Sequence, residues 1–326
     1  MMVPQFWAEG IIKERLNGRE VTVRRFGWSD DSQADAQLNA DTRAREAFDR
    51  LAAGEKIIRR EPKLPYNGAE GVPIREEIVS RHGETVITRN IYGARCLNTP
   101  NVLFIDIDFE NAPAPWWLTL SSICFFLFCA AAAGCALRSL SLALTLGLLA
   151  LFCGYLVASA LTRLFLNQSG KAEQRARNRI GEFVRGHPGW HLRLYRTPAG
   201  LRVLVMHRTF DPGEPAVVEC FQALGADPMY VRMCANQRCF RARVSPKPWR
   251  IGVKTSIRPR PGVWPVNPGW LPERARWIDT YEQAARNHAS CRFVEAVGTG
   301  PIHSSAQTVK NLHDELCRAN SPMPIA

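Results

Sequence analysis

The stretch from Trp116 to Leu166 constrains this chain more than any other: WWLTLSSICFFLFCAAAAGCALRSLSLALTLGLLALFCGYLVASALTRLFL. A helix needs about 20 consecutive apolar residues to cross a bilayer core. Trp116 to Ala136 supplies one such run and Leu140 to Leu161 a second, joined by a tight turn at Leu137-Arg138-Ser139. In lipid the backbone must satisfy its own polar groups, so the expected form is a transmembrane hairpin of two helices. The run lies more than a hundred residues into the chain, which excludes a signal peptide as its explanation.

Basic residues near span ends stay on the cytoplasmic side. The loop holds only Arg138, whereas Arg163, Lys171, Arg175, Arg177, Arg179 and Arg185 follow the second span. The expectation is a multi-pass protein of the plasma membrane with both termini cytoplasmic. Three parts follow: an N-terminal α+β part (1–115), the hairpin (116–166) and a basic C-terminal α+β part (167–326). Residues 1–115 carry 16 Lys+Arg against 18 Asp+Glu, and residues 164–326 carry 24 against 12. A basic part of this kind suits an anionic partner, either lipid headgroups, nucleotide or nucleic acid.

Pattern gives the coarse elements. A short strand at Val21 to Phe26 precedes a helix from about Ser29 to Ala53. Strands follow at Ile74 to Arg81, Glu84 to Leu97 and Val102 to Phe109, read as a three-strand antiparallel run packed by that helix. Beyond the apolar stretch come a basic helix (Lys171 to Arg185), a strand-turn-strand (His191 to Arg208) and a helix (Pro215 to Leu224) stopped by Gly225. Short strands are expected at Tyr230 to Met233 and Cys239 to Val244. After a proline-rich segment come a helix (Pro272 to His288), a strand (Cys291 to Val297) and a last helix (Ser304 to Arg318). The fold class expected is α+β: an antiparallel or mixed sheet with packed helices, interrupted by the hairpin.

Three places could carry chemistry. On the strand Phe104-Ile105-Asp106-Ile107-Asp108-Phe109-Glu110, alternation puts the carboxylates on one face. Such carboxylates can converge on a hard cation, Mg²⁺ or Mn²⁺; the competing reading is a solvated acidic face. Arg196, Thr197, Gly200 and Arg202 flank a turn that could hold a phosphate, or simply a β-turn. Arg241, Arg243 and, past Ser245, Lys247 share one strand face and read as an anion-binding edge. The ten cysteines show no disulfide pattern. Cys234 and Cys239 would need two further ligands to hold zinc, and none is nearby. His313-Asp314 would form a metal pair only with further ligands, which their helix does not offer.

The order of these elements resembles the catalytic core of archaeo-eukaryotic primases and primase-polymerases. The resemblance rests on the acidic pair Asp106/Asp108, the helix after it and the strand-turn-strand Arg196 to Val205, with Arg202 where that family has a His. It implies a nucleotidyltransferase-like fold, with Glu295 as the third acid beside a metal. The runs RRFGWSDDS, ITRNIYGA and HDELCRA are similar to an uncharacterised group of bacterial two-span membrane proteins, which implies an inner-membrane setting. Three functions stay open: a membrane-anchored protein binding a nucleotide or other anion with a divalent cation, a non-enzymatic membrane interaction protein, or a primase-polymerase-like enzyme.

Overall fold

The computed structural model describes residues 3–61, 72–109, 169–260 and 264–326, with scattered helical positions between 120 and 160. Strands β1 (Phe6–Leu16) and β2 (Arg19–Ser29) form a long antiparallel hairpin. Asn17 and Gly18 close it, both at positive φ, as Asn-Gly does in tight hairpin turns. Helix α1 (Gln33–Ala52) lies on this hairpin and buries Ala36, Ala40, Ala44 and Ala47. Its stripe is small because the helix backbone comes very close: a Cβ on Gly27 would sit 2.1 Å from the Ala40 nitrogen. The cap is Ser32, whose Oγ accepts from the Asp35 amide at 3.0 Å, three residues later than Ser29. The helix therefore covers its own hairpin and not the strands expected beneath it.

Those strands divide between two four-stranded antiparallel sheets. In one, the order is β3 (Glu77–His82), β4 (Thr85–Arg89), β5 (Arg95–Thr99) and β9 (Phe240–Arg243). The expected long strand Glu84 to Leu97 is broken into β4 and β5 because the Asn90 side chain accepts from the amides of Tyr92 and Ala94 and turns the chain. In the other sheet the order is β10 (Arg292–Val297), β7 (Leu192–Arg196), β8 (Gly200–Val205) and β6 (Phe104–Asp108). The pairings β5–β9 and β6–β8 draw strands from both sides of the 116–166 stretch into each sheet.

Helices α2 (Ser169–Gly186) and α3 (Pro215–Leu224) pack together. Ile180, Phe183, Val217 and Phe221 join Ile105, Leu194 and Val203 in the main core. Residues 228–237, expected to hold a short strand, form helix α4 (Pro228–Gln237). Asp227-Pro228 starts it: the Asp227 carboxylate accepts from the Met229 amide at 2.7 Å and Pro occupies the first turn, where its missing N–H costs nothing. Helices α5 (Leu271–Ala285) and α6 (Ser304–Cys317) follow. The face of the second sheet that carries Phe104, Asp106, Arg202 and Tyr195 meets α6, whose His313 ring lies 5.3 Å from Phe104 and 4.7 Å from Tyr195.

The transmembrane expectation is corrected. Among the described residues no helix is long and apolar enough to cross a membrane. Within 116–166 the described positions are helical, Leu120, Phe125, Phe128, Phe152 and Tyr155 among them are exposed, and most of that stretch lies outside the described residues. No described run there supplies the roughly 20 consecutive apolar helical residues a span requires. The membrane keywords and the inner-membrane multi-pass placement with both termini cytoplasmic rested on that hairpin and are corrected with it.

One half-buried histidine ties stability to pH. His207 packs against Trp190 (4.5 Å between ring centroids) and Phe210 (5.5 Å). Burial, with Arg208 and His191 nearby, lowers its pKa from 6.5 to about 4. The unfolded chain takes up the proton below about 6.5, whereas the folded chain resists until about 4. Stability is therefore full above pH 6.5 and falls across that window. With the partial exposure of the ring discounted, the expected loss is about 1–2 kcal/mol. Urea titrations from pH 7 to 4 on wild type and His207→Gln check this; the variant should lose that component of the slope.

Candidate functional site

A cleft of about 210 Å³ opens where β6, β8 and β9 meet the start of α4. Its walls are built by strand register. Asp106 pairs across to Arg202, and Arg243 projects from the end of β9. The acidic strand places Asp106 and Asp108 on one rim. The Asp227 amide donates to the Asp106 carbonyl at 2.9 Å and brings a third carboxylate to the same rim. Arg243 and Lys247 line the basic side, and Tyr92, Met229 and Met233 supply apolar wall.

Arg202 sits at the floor with its side chain 2% exposed. Its Nε donates to Asp106 Oδ1 at 2.8 Å and its Nη2 to Oδ2 at 3.3 Å, a bidentate pair. Its Nη1 donates to the Arg243 carbonyl at 2.8 Å. Burial alone would lower the guanidinium pKa, but the charge and hydrogen bonds of Asp106 hold it above its usual value. Asp106 is thus held by Arg202 through both of its carboxylate oxygens.

Arg241 is also structural. Its Nη2 donates to both oxygens of Glu76, at 2.9 and 2.6 Å, and both side chains are at most 3% exposed. Glu76 also accepts from Thr88 Oγ1 at 2.6 Å. Arg243 differs in having no carboxylate ion-paired to it among the described residues; its side chain lies beside the Tyr92 hydroxyl, and its Nε, like the Nε and Nη1 of Arg241, is buried and makes no hydrogen bond. Lys247 Nζ stands 5.5 Å from the centroid of the Trp249 ring.

The turn after β7 closes on itself. Thr197 Oγ1 accepts from the Gly200 amide at 3.0 Å, and the Thr197 amide donates to the Gly200 carbonyl. A Cβ on Gly200 would fall 1.8 Å from the Ile107 carbonyl, so glycine is required for β8 to lie against β6. Arg196 donates to the Gly200 carbonyl, stacks over Phe109 and faces Glu173 at 3.5 Å. These groups hold the turn in place; Thr197 lines the cleft with its hydroxyl engaged, and Arg196 and Gly200 are not part of the lining.

The structure thus brings Asp106, Asp108, Thr197, Arg202, Arg241, Arg243 and Lys247 to one cleft. It does not bring Glu295 there. Glu295 lies on β10, paired with Leu194 on the opposite face of the sheet, and is ion-paired to Arg177 of α2. Asp227 takes the third place on the rim, and its signal in the sequence was the Asp-Pro helix start. A neighbouring cavity of about 190 Å³ shares Asp108 and Asp227 and adds Arg175 and Arg179 from α2. The helix that read as a topology signal therefore lends basic groups to the same acidic rim.

No protein-family model matches this chain, and comparison with curated proteins and with solved structures likewise gives no match. The reading of the cleft rests on its own chemistry.

Proposed function

We propose that the cleft binds a small phosphate-bearing anion, with a nucleotide as the first candidate. The observation that carries this is Arg243: a cation lining a concave site, with a buried Nε that has no hydrogen-bond partner in the protein. A buried donor without a partner costs about 1–3 kcal/mol, and an anion in the cleft removes that cost. Lys247 adds charge, and Tyr92, Met229 and Met233 offer an apolar wall on which a base could rest. A divalent cation arriving with the ligand would rest on Asp108 and Asp227, since Asp106 is held by Arg202. The same pairing weighs against a polymerase-type reaction, which needs both carboxylates of the pair open to metal.

The test is calorimetric titration of the full chain with ATP and with pyrophosphate, each with and without Mg²⁺. Arg243→Ala should weaken binding at least about tenfold, the loss of one or two charge-assisted hydrogen bonds. Arg177→Ala, whose guanidinium is engaged by Glu173 and Glu295, should change little. Affinity should fall as salt rises, because partly exposed charges are screened. Equal binding by wild type and Arg243→Ala would overturn the assignment.

A further inference from the structure

Behind the floor of the cleft lies a second group of chemically capable side chains that the anion site does not use. Cys291, His313 and Cys317 are buried together, and their ligand atoms all lie within 4.8 Å of one another. The fold brings them there from two places. His313 and Cys317 are four residues apart on α6 and so share one helix face. Cys291 immediately precedes β10, and backbone bonds clamp that segment to the end of α6: Ser290 N donates to Cys317 O at 3.0 Å and Phe293 N to Ala319 O at 2.9 Å.

We propose that Cys291, His313 and Cys317 form a binding site for a thiophilic divalent cation of the Zn²⁺ type. Zinc takes thiolate sulfur at about 2.3 Å and imidazole nitrogen at about 2.0–2.1 Å, so two ligands of a tetrahedral ion stand roughly 3.5 Å apart. The Cys291 Sγ to His313 Nε2 distance is 3.9 Å, within a few tenths of an ångström of that geometry. The imidazole is already oriented. Its Nδ1 lies 3.1 Å from Asp314 Oδ1, and Asp314 is itself fixed by Arg193 at 3.1 Å. A carboxylate on Nδ1 leaves the Nε2 lone pair facing the thiols, the outer support usual for metal-ligating histidines. The Arg243 carbonyl, 3.9 Å from Cys317 Sγ, closes a further side.

The nearest positive group is Arg202, whose Nη1 is 3.4 Å from His313 Nε2. That contact is not its main one, since the same Nη1 donates to the Arg243 carbonyl at 2.8 Å and the other nitrogens hold Asp106. Two thiolates cancel the charge of a divalent ion, so the centre adds no net charge beside the Arg202–Asp106 pair. The thiol protons leave to solvent on binding. The competing fate of two close sulfurs is a disulfide, but Cys291 and Cys317 are free thiols in this structure.

The experiment uses the full chain, reduced and stripped of metal, titrated with Zn²⁺ and with Co²⁺. One equivalent should bind. Co²⁺ should give a thiolate charge-transfer band with tetrahedral d–d absorption, and Zn²⁺ should raise the melting temperature, with a stabilisation that grows as the logarithm of its concentration over the dissociation constant. Cys291→Ser and Cys317→Ser should abolish the Co²⁺ spectrum, and Asp314→Asn should weaken affinity about 10–100-fold. Should a serine variant fail to fold, the wild-type stoichiometry and spectrum still decide. No binding by the reduced, folded wild type, or an unchanged Co²⁺ spectrum in both folded serine variants, would overturn the site. Loss of ATP binding with retention of Co²⁺ would count against the cleft reading alone.

Discussion

Glu76→Ala is expected to cost about 3–5 kcal/mol of folding stability, the largest single effect at the cleft. Glu76 and Arg241 are both almost fully buried and bonded through both carboxylate oxygens. Removing the acid takes from an almost fully buried guanidinium on β9 the carboxylate that holds it through both oxygens. It also removes the acceptor of the Thr88 hydroxyl, whose Oγ1 keeps only the hydrogen bond it accepts from Asn98 Nδ2. Replacing the whole pair is a different matter. Glu76→Leu/Arg241→Met removes both charges together and should recover most of the loss, because a buried ion pair is often no better than apolar groups of similar volume. Urea denaturation of wild type, single and double variants measures this. A single variant within about 1 kcal/mol of wild type would mean that Arg241 finds another partner and that the pair is not what fastens β9. The consequence for function is direct. An Arg241 variant that loses ligand binding would report unfolding, whereas an Arg243 variant reports the site.

That distinction was beyond reach of the sequence. Alternation along Cys239 to Val244 shows that Arg241 and Arg243 share a face, and in the structure both line the cleft. What it cannot show is that Glu76, on a distant segment, neutralises one of them. Elements with strong local signals were legible: α3 between Pro215 and Gly225, and β7–β8 across Thr197 to Gly200. The Asp106/Asp108 strand was legible for the same reason, since period-two alternation is local. Two local signals went unused. Asn17-Gly18 marks the long first hairpin, and Asp227-Pro228 marks α4, whose apolar residues also fit a short strand. Apolar composition at 116–166 pointed to a membrane hairpin, yet among the described residues no helix meets the length and apolarity a span needs. Long-range arrangements were invisible in principle. Cys291 reaches His313 and Cys317 only because the segment at the start of β10 is clamped to the end of α6. The helix alone offers His313 one such partner, Cys317 four residues on, and gives no sign of Cys291.

The acidic strand itself gives the second large effect, and it separates two carboxylates that look equivalent in sequence. Asp106→Asn should destabilise the protein by roughly 3 kcal/mol, because Arg202 is buried and loses the charge that holds it. The cost should fall short of that for Glu76→Ala, since the Asp106 side chain is 31% exposed and water from the cleft can partly replace it. Asp108→Asn should cost less than Asp106→Asn, since Asp108 is exposed on the rim and exposed substitutions usually change stability by about 0.5 kcal/mol or less. Two open metal ligands would behave the other way: both substitutions would be mild in the absence of metal, and both would abolish a Mg²⁺- or Mn²⁺-dependent rise in melting temperature. Thermal denaturation of both variants with and without each cation decides between these patterns. A mild Asp106→Asn that loses a metal-dependent shift would show that Arg202 yields the carboxylate to a cation, and would reopen the primase-like reading of the strand. A severe Asp106→Asn beside a mild Asp108→Asn would fix Arg202–Asp106 as the strut between β6 and β8, leaving Arg243 to meet the ligand.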